Sequence, residues 1–254
     1  MSEQTPPKVP FPVEQIKARS GFTYWMPKQD ERAKLLTYAK VYGAVTLASL
    51  KRLKSEAGLV LDVGANVGQT ALTFSGWARQ VQSFEADPNI YALLVRNLAD
   101  NKVSNVKSEN CALGAEQSEI RIVSTPTAHL GGHVGKGTMG TLVPLERLDD
   151  CVRLNTLVDV LKIDVEGYEL KVLKGAQRIL ADSRPVIVLE QVPEFLKRYS
   201  DTPADIWTLL RARGYLAYTT DLAPLEDPTV VLSRMRDRIF VHESACPKRR
   251  GLFY

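Results

Sequence analysis

The run Leu59-Val60-Leu61, leading into Asp62-Val63-Gly64-Ala65-Asn66-Val67-Gly68, limits the fold of this chain more than any other feature. A short unbroken apolar segment that ends in an acid and glycines suits a parallel strand buried on both faces. Parallel neighbours cannot be joined by tight hairpins, so the flanking sequence has to supply crossover helices. It does so. Val81-Gln82-Ser83-Phe84 reads as a second strand ending at Glu85. Asp87-Pro88 then offers an N-cap with proline at the first helical position. Ile90, Leu93, Leu94 and Leu98 continue as one apolar face to Asp100-Asn101. Val103 to Asn110 is a third, more polar strand. Asp159 to Ile163, ending at Asp164, is a fourth, and Pro185 to Leu189, ending at Glu190, a fifth. Between these two, Val165, Tyr168, Val172, Leu173, Ala176, Ile179 and Leu180 share one helical face. Thr202-Pro203-Ala204-Asp205 resembles a capping box opening another helix, closed by Gly214, and Tyr215–Thr219 and Arg238–Val241 are two further strands. The alternation predicts an α/β, Rossmann-like, doubly wound and mostly parallel sheet.

The 254 residues are enough for one large domain of this kind, and 44% hydrophobic with 24% charged residues is an ordinary globular balance. Residues 1 to about 30 are proline-rich and polar and read as an extension. Residues 31–55 carry Leu35, Leu36, Ala39, Val41, Tyr42 and Val45 at helical intervals. The expected division is an N-terminal extension with helices over 1–55, a cofactor-binding catalytic domain over 56–245 and a basic tail over 246–254. Residues 115–150 break the strand–helix rhythm. They read as a hairpin-like insertion, with a glycine-rich loop over 125–140 at its tip. No apolar run approaches the roughly 20 residues of a membrane span. The start lacks a basic segment followed by an apolar one, so no secretory signal is expected. Cys111, Cys151 and Cys246 are widely spaced and fit no zinc pattern, which predicts a reducing, cytoplasmic setting without a structural metal. The formal charge is +4, with clusters at Arg234, Arg236 and Arg238 and at Lys248, Arg249 and Arg250. Phosphates could use such clusters, but a solvated edge and tail is the preferred reading, which argues against a nucleic-acid partner.

In an open α/β sheet, ligands bind beyond the carboxyl ends of the strands. Gly64 permits a tight turn after the first strand and Gly68 lets the next helix start close to it. The loop from Asp62 to Gly68 therefore turns amides and a helix N-terminus toward a ligand. Asn66 stands where a dinucleotide fingerprint has its second glycine, and a side chain there hinders a pyrophosphate. An amino-acid carboxylate fits better, which favours S-adenosylmethionine. Glu85, 17 residues past Gly68, can accept hydrogen bonds from both ribose hydroxyls and would repel a 2′-phosphate. Asn110, ending the third strand, could accept from an adenine amino group or merely form a turn.

These blocks resemble the FkbM family of methyltransferases. The resemblance rests on Asp62 to Gly68, on Phe84-Glu85-Ala86-Asp87-Pro88, and on Leu161-Lys162-Ile163-Asp164-Val165-Glu166-Gly167-Tyr168-Glu169 with Val172 to Ala176. Leu148-Asp149-Asp150 and Glu190 also fit. Ala86 departs from the proline usual there. The resemblance implies a class I methyltransferase fold of seven strands with the last antiparallel. It also implies methyl transfer to a hydroxyl, commonly of a sugar or natural product. The first 55 and last 50 residues have no match.

Methyl transfer from a sulfonium needs positioning and a destination for the hydroxyl proton. Asp164 or Glu166 could take that proton or hold a divalent metal that polarises the hydroxyl. Glu166 could instead serve the dipole of the following helix. His129 and His133 flank Gly131-Gly132, which makes a zinc-binding helix improbable; His133 could act as general base under a covering loop, or be a solvated loop histidine. The expected partner is a small-molecule hydroxyl acceptor, and a homo-oligomer is among the assemblies the chain allows. The alternatives are a nucleic-acid methyltransferase, which the absent Asn-Pro-Pro-aromatic motif disfavours, and a nicotinamide-dependent oxidoreductase, which Asn66 disfavours.

Overall fold

A computed structural model describes residues 8–28, 30, 44–54, 56–123, 133–135, 139–227 and 237–245. It opens on an antiparallel hairpin, β1 (Val13–Lys17) and β2 (Thr23–Pro27), followed by helix α1 (Ala44–Leu53). Then come β3 (Leu59–Val63), α2 (Gln69–Ser75), β4 (Gln80–Phe84), α3 (Pro88–Asp100) and β5 (Val106–Glu109). A second sheet takes β6 (Ala112–Leu113), β7 (Ser118–Val123), β8 (His133–Val134) and β9 (Thr141–Glu146), and α4 (Leu148–Cys151) leads out of it. The main sheet resumes at β10 (Val160–Ile163), with α5 (Glu169–Lys174), α6 (Gln177–Asp182) and β11 (Val186–Glu190) after it. Helices α7 (Pro193–Leu196) and α8 (Pro203–Arg211) precede β12 (Tyr215–Tyr218) and β13 (Asp237–His242).

The seven-stranded sheet has the order β12-β13-β11-β10-β3-β4-β5. β13 is antiparallel to both neighbours while the other adjacent pairs are parallel, so the sheet is mixed rather than wholly parallel. Strand alternation divides the core. Val60, Val81, Val160 and Val186 pack with the hairpin, α1, α2 and α3. Leu61, Leu161, Ile163 and Ile187 pack with α5, α6 and α8 on the other face. From β3 the chain winds to one edge and returns at β10 to wind to the other. The switch between β3 and β10 leaves a crevice at their carboxyl ends, which places the site.

Several expectations change. The stretch read as an extension contains the β1–β2 hairpin, in which Tyr24, Trp25 and Met26 are buried. The expected helical appendage is therefore a hairpin plus α1; residues 31–43 lie outside the described residues. The helix expected from Val165 starts only at Glu169 and breaks between α5 and α6. The insertion is a four-stranded sheet with the expected β7–β9 pairing at its centre, and residues 124–132 of its loop, His129 included, lie outside the described residues. Arg238 is 1% exposed inside the sheet rather than on a solvated edge. Arg234, Arg236 and residues 246–254 lie outside the described residues. Among the described residues no helix is long and apolar enough to cross a membrane.

The junction between α5 and α6 leaves no room for a side chain at Gly175. A Cβ on Gly175 would sit 1.9 Å from the Gly114 carbonyl oxygen, because the chain here packs backbone against backbone below the insertion. Gly175→Ala is expected to cost about 1–3 kcal/mol in urea unfolding. Gly76→Ala, where a Cβ meets only the Thr73 carbonyl oxygen at 3.5 Å, should stay within about 0.5 kcal/mol of the parent. Equal effects would refute the assignment.

Candidate active site

The loop after β3 is held on three sides. Gly64 and Ala65 N–H groups donate to the Phe84 carbonyl at 3.0 and 2.9 Å. Gly64 has φ 75°, and a Cβ on it would lie 1.8 Å from the Asp164 carbonyl oxygen, so the backbones at the ends of β3 and β10 are in direct contact. Asn66 is also left-handed, at φ 52°; its N–H donates to Glu85 Oε2 at 2.8 Å and its own Oδ1 accepts from Val67 N at 2.8 Å. The other Glu85 oxygen accepts from Asp87 N at 2.9 Å. Burial pushes the Glu85 carboxyl up to about 7 despite these two donors.

β10 supplies the opposite wall. Its register sets Lys162 beside Asp62. The Lys162 ammonium lies 3.1 Å from Asp62 and 3.6 Å from Asp164, and donates to the Gly64 carbonyl at 3.2 Å. Burial opposes its charge, but the two carboxylates outweigh that and hold its pKa above the usual lysine value. Asp62 is fully buried and also accepts from Thr70 Oγ1 at 2.6 Å, so it braces Lys162 and the first turn of α2 and does not line either hollow described below. Beyond β10 the chain makes a tight turn, with Glu166 at φ 55° and Gly167 at φ 107°. Glu169 Oε1 clamps this turn by accepting from Val165 N at 3.2 Å and Gly167 N at 3.1 Å. Glu166 thus stands in a left-handed turn three residues before the helix.

Two hollows meet over this junction and share Gly64, Asn66 and Asp164. One runs beneath α1 and adds Gln69, Lys162, Glu190 and Asp237, with Leu47, Leu50 and Phe74 as apolar wall. The other runs toward β4 and the insertion and adds Glu85, Cys111, Ala112, Glu166 and Tyr168. Glu190 is pushed up to about 9, first by burial and then by the charges of Asp164, Glu166 and Asp237. Asp237 is raised for the same two reasons, although Thr46 Oγ1 donates to it at 2.9 Å.

The sequence-selected residues therefore separate. Gly64, Asn66, Glu85, Asp164 and Glu166 come together. Gly68, at φ 93°, shapes the start of α2 against Leu94. Asn110 lines neither hollow; its amide nitrogen donates to the Glu85 and Ala86 carbonyls at 2.8 and 3.2 Å, fastening the turn after β4. His133 is half-buried in β8 and lines neither hollow, while its neighbour Val134 does. Burial and the Arg198 charge lower its pKa. Lys162, Asp237, Thr46 and Gln69 were not singled out from sequence. Lys162 had a readable signal, a charge inside the apolar run Val160-Leu161-Lys162-Ile163. Among the described residues, no group of three His, Cys, Asp or Glu is arranged to hold a metal ion.

The family model for the methyltransferase FkbM domain matches residues 62–217. The chain belongs to the FkbM methyltransferase family. It is 30% identical over 135 residues to the hexuronic acid methyltransferase AglP of Haloferax volcanii, covering 52% of this chain and 56% of that protein. With Methyltransferase 1 of Beauveria bassiana it is 26% identical over 182 residues, 61% of this chain and 71% of the relative. The FkbM methyltransferase structure from Methylobacillus flagellatus KT shares the fold, with a TM-score of 0.50, 19% identity, and coverage of 74% of this chain and 44% of that one. The chain thus spans about half the length of AglP and of that solved chain.

The carboxyl cluster makes a prediction. Glu190 is raised in the folded state from its ordinary 4.5 to about 9. Its contribution to stability is therefore fully present below about pH 4.5 and lost as pH rises through about 9. Glu190→Gln should raise the Tm by several degrees at alkaline pH and leave it nearly unchanged in acid. Parallel Tm–pH curves for the two proteins would contradict the burial and charge argument.

Proposed function

We propose that this chain transfers a methyl group from S-adenosylmethionine to a hydroxyl of a small molecule such as a sugar or natural product. The observation that carries the reading is the meeting of two hollows at Gly64, Asn66 and Asp164, on the switch point of an FkbM-family sheet. The residues fit the cofactor. Glu85 is a buried carboxyl at the edge of one hollow, and ribose hydroxyls would add the donors its ionised form lacks. The Asn66 side chain occupies loop space that a pyrophosphate would need. When bound, the cofactor supplies a methyl group on a sulfonium, an already activated leaving group.

The chain's own task is to hold the acceptor hydroxyl and remove its proton. Asp164 stands on the wall shared by both hollows, and Lys162 supports its charge. Glu190, at about 9, keeps its proton at neutral pH and is in the wrong form to accept another. Asp164 is therefore the proposed proton acceptor, with Glu166 as its neighbour across the turn. His133, outside both hollows, has no part in this mechanism. That AglP is named a hexuronic acid methyltransferase supports a sugar-like acceptor.

Isothermal titration with S-adenosylhomocysteine is expected to show binding that Glu85→Gln weakens at least about tenfold. Because the ionised form of Glu85 is the better acceptor, affinity should fall as pH drops below about 7. With labelled cofactor and a panel of sugars and natural-product alcohols, Asp164→Asn should lower kcat by about 100-fold or more while cofactor affinity changes little. No S-adenosylhomocysteine binding at all would remove the proposal, and full activity of Asp164→Asn would remove its proton acceptor.

A further inference from the structure

The N-terminal hairpin touches the main domain through a polar contact. Strand β2 pairs with β1 along one edge. Along its other edge it meets two asparagine side chains, Asn97 in the last turn of α3 and Asn101 at its C-cap. Thr23 N–H donates to Asn101 Oδ1 at 2.9 Å, and Asn101 Nδ2 donates back to the Thr23 carbonyl at 2.7 Å. Trp25 N–H donates to Asn97 Oδ1 at 2.6 Å, and Asn97 Nδ2 donates back to the Trp25 carbonyl at 3.1 Å. Four helical residues advance about 6 Å and two strand residues about 6.6 Å, so asparagines at i and i+4 can imitate two peptide groups of a neighbouring strand. Trp25 Nε1 adds a bond to Asp100 at 3.0 Å, and Arg96 lies over its ring at 5.7 Å.

The two asparagines differ in one respect. Asn97 is fully buried, and its Nδ2 also donates to the Val67 carbonyl at 2.9 Å. Val67 is the residue between Asn66 and Gly68 in the loop after β3. Asn101 Nδ2 instead makes its second bond within α3, to the Asn97 carbonyl at 2.7 Å. A single amide group therefore joins the backbone of the hairpin to the backbone of the loop. Asn66 and Gly68, on either side of that carbonyl, both have positive φ. The loop holds a conformation that needs outside support, and the Val67 carbonyl is where α3 supplies it.

We propose that Asn97 is a positioning residue for cofactor binding, and that through it the β1–β2 hairpin forms part of the cofactor site. The inference rests on the reading that the loop after β3 binds S-adenosylmethionine. Coupling between two sites is reciprocal, so a hairpin that steadies the loop is itself steadied when the loop is occupied.

The test is amide hydrogen exchange on the full chain, with and without saturating S-adenosylhomocysteine. In the parent protein the ligand should slow exchange severalfold both in peptides covering Gly64–Gly68 and in those covering Thr23–Met26. Slowing in the loop alone would overturn the inference and leave the cofactor reading intact. Absence of binding would overturn both. Substitution then separates positioning from general loosening. Asn97→Ala should weaken S-adenosylhomocysteine binding about tenfold and abolish the protection of the hairpin. Asn101→Ala, which loosens the same strand without touching the loop, should change affinity less than about twofold. Equal losses from the two variants would reduce Asn97 to a structural role. If Asn97→Ala does not fold, the exchange experiment on the parent protein decides alone.

Discussion

The contact between Gly64 and the Asp164 carbonyl is the constraint on which the rest of the site depends. The two adjacent parallel strands part into their loops here with backbone directly against backbone at Gly64 and Asp164. One hollow opens on each side of that backbone contact, and Asp164 is common to both. A Cβ at position 64 would force the two strand ends apart and merge or misalign the hollows. The close approach in turn requires the loop to turn in left-handed conformations at Gly64, Asn66 and Gly68. Only two of these are glycines, so part of the strain falls on an asparagine, the residue type that tolerates it best after glycine.

Two buried glutamates hold the strained turns. Glu85 accepts from the loop after β3 and from the turn after β4; Glu169 accepts from the turn after β10. Each carboxyl is pushed up to about 7 by burial, so each turn is held by a group near the midpoint of its own titration. Lys162 balances the opposite wall. It is buried beside Asp62 and Asp164, and a lone charge there would be untenable without them. The site is therefore predominantly acidic with one central cation, and Glu190 answers the excess by retaining its proton.

Much of the fold was readable because its elements announce themselves locally. Leu59–Leu61 with its glycines, Asp87-Pro88 as cap and first turn, and Thr202 with Asp205 as a reciprocal capping box all appear where expected. Glu85 and Asp164 follow their strands directly and Asn66 lies in the loop after β3, as expected, because a parallel sheet brings all such ends to one rim. The failures share a cause. The hairpin over 13–27 has its partner on α3, some 70 residues away, so no local pattern marks it. The helix expected from Val165 had the right apolar spacing, but Glu166 and Gly167 turn left-handed and Gly167 lies where a Cβ would meet the Phe195 backbone at 2.4 Å. Asn110 and Asp62 sit where ligand groups would be sought, yet neither lines a hollow: the Asn110 amide nitrogen fastens the turn after β4, and Asp62 braces Lys162 and Thr70.

By itself, the sequence determined the seven strands of the main sheet and which acids end them, because periodicity, caps and glycines act over a few residues. It also carried the family, through motifs that are contiguous in the chain. The tertiary structure alone decided which of those acids share a hollow, which are braces, and that an N-terminal hairpin reaches the loop after β3 through Asn97. Those outcomes depend on strand register and on contacts between residues far apart in sequence. Burial and neighbouring charge, which set the protonation of Glu85 and Glu190, arise only once those contacts are made.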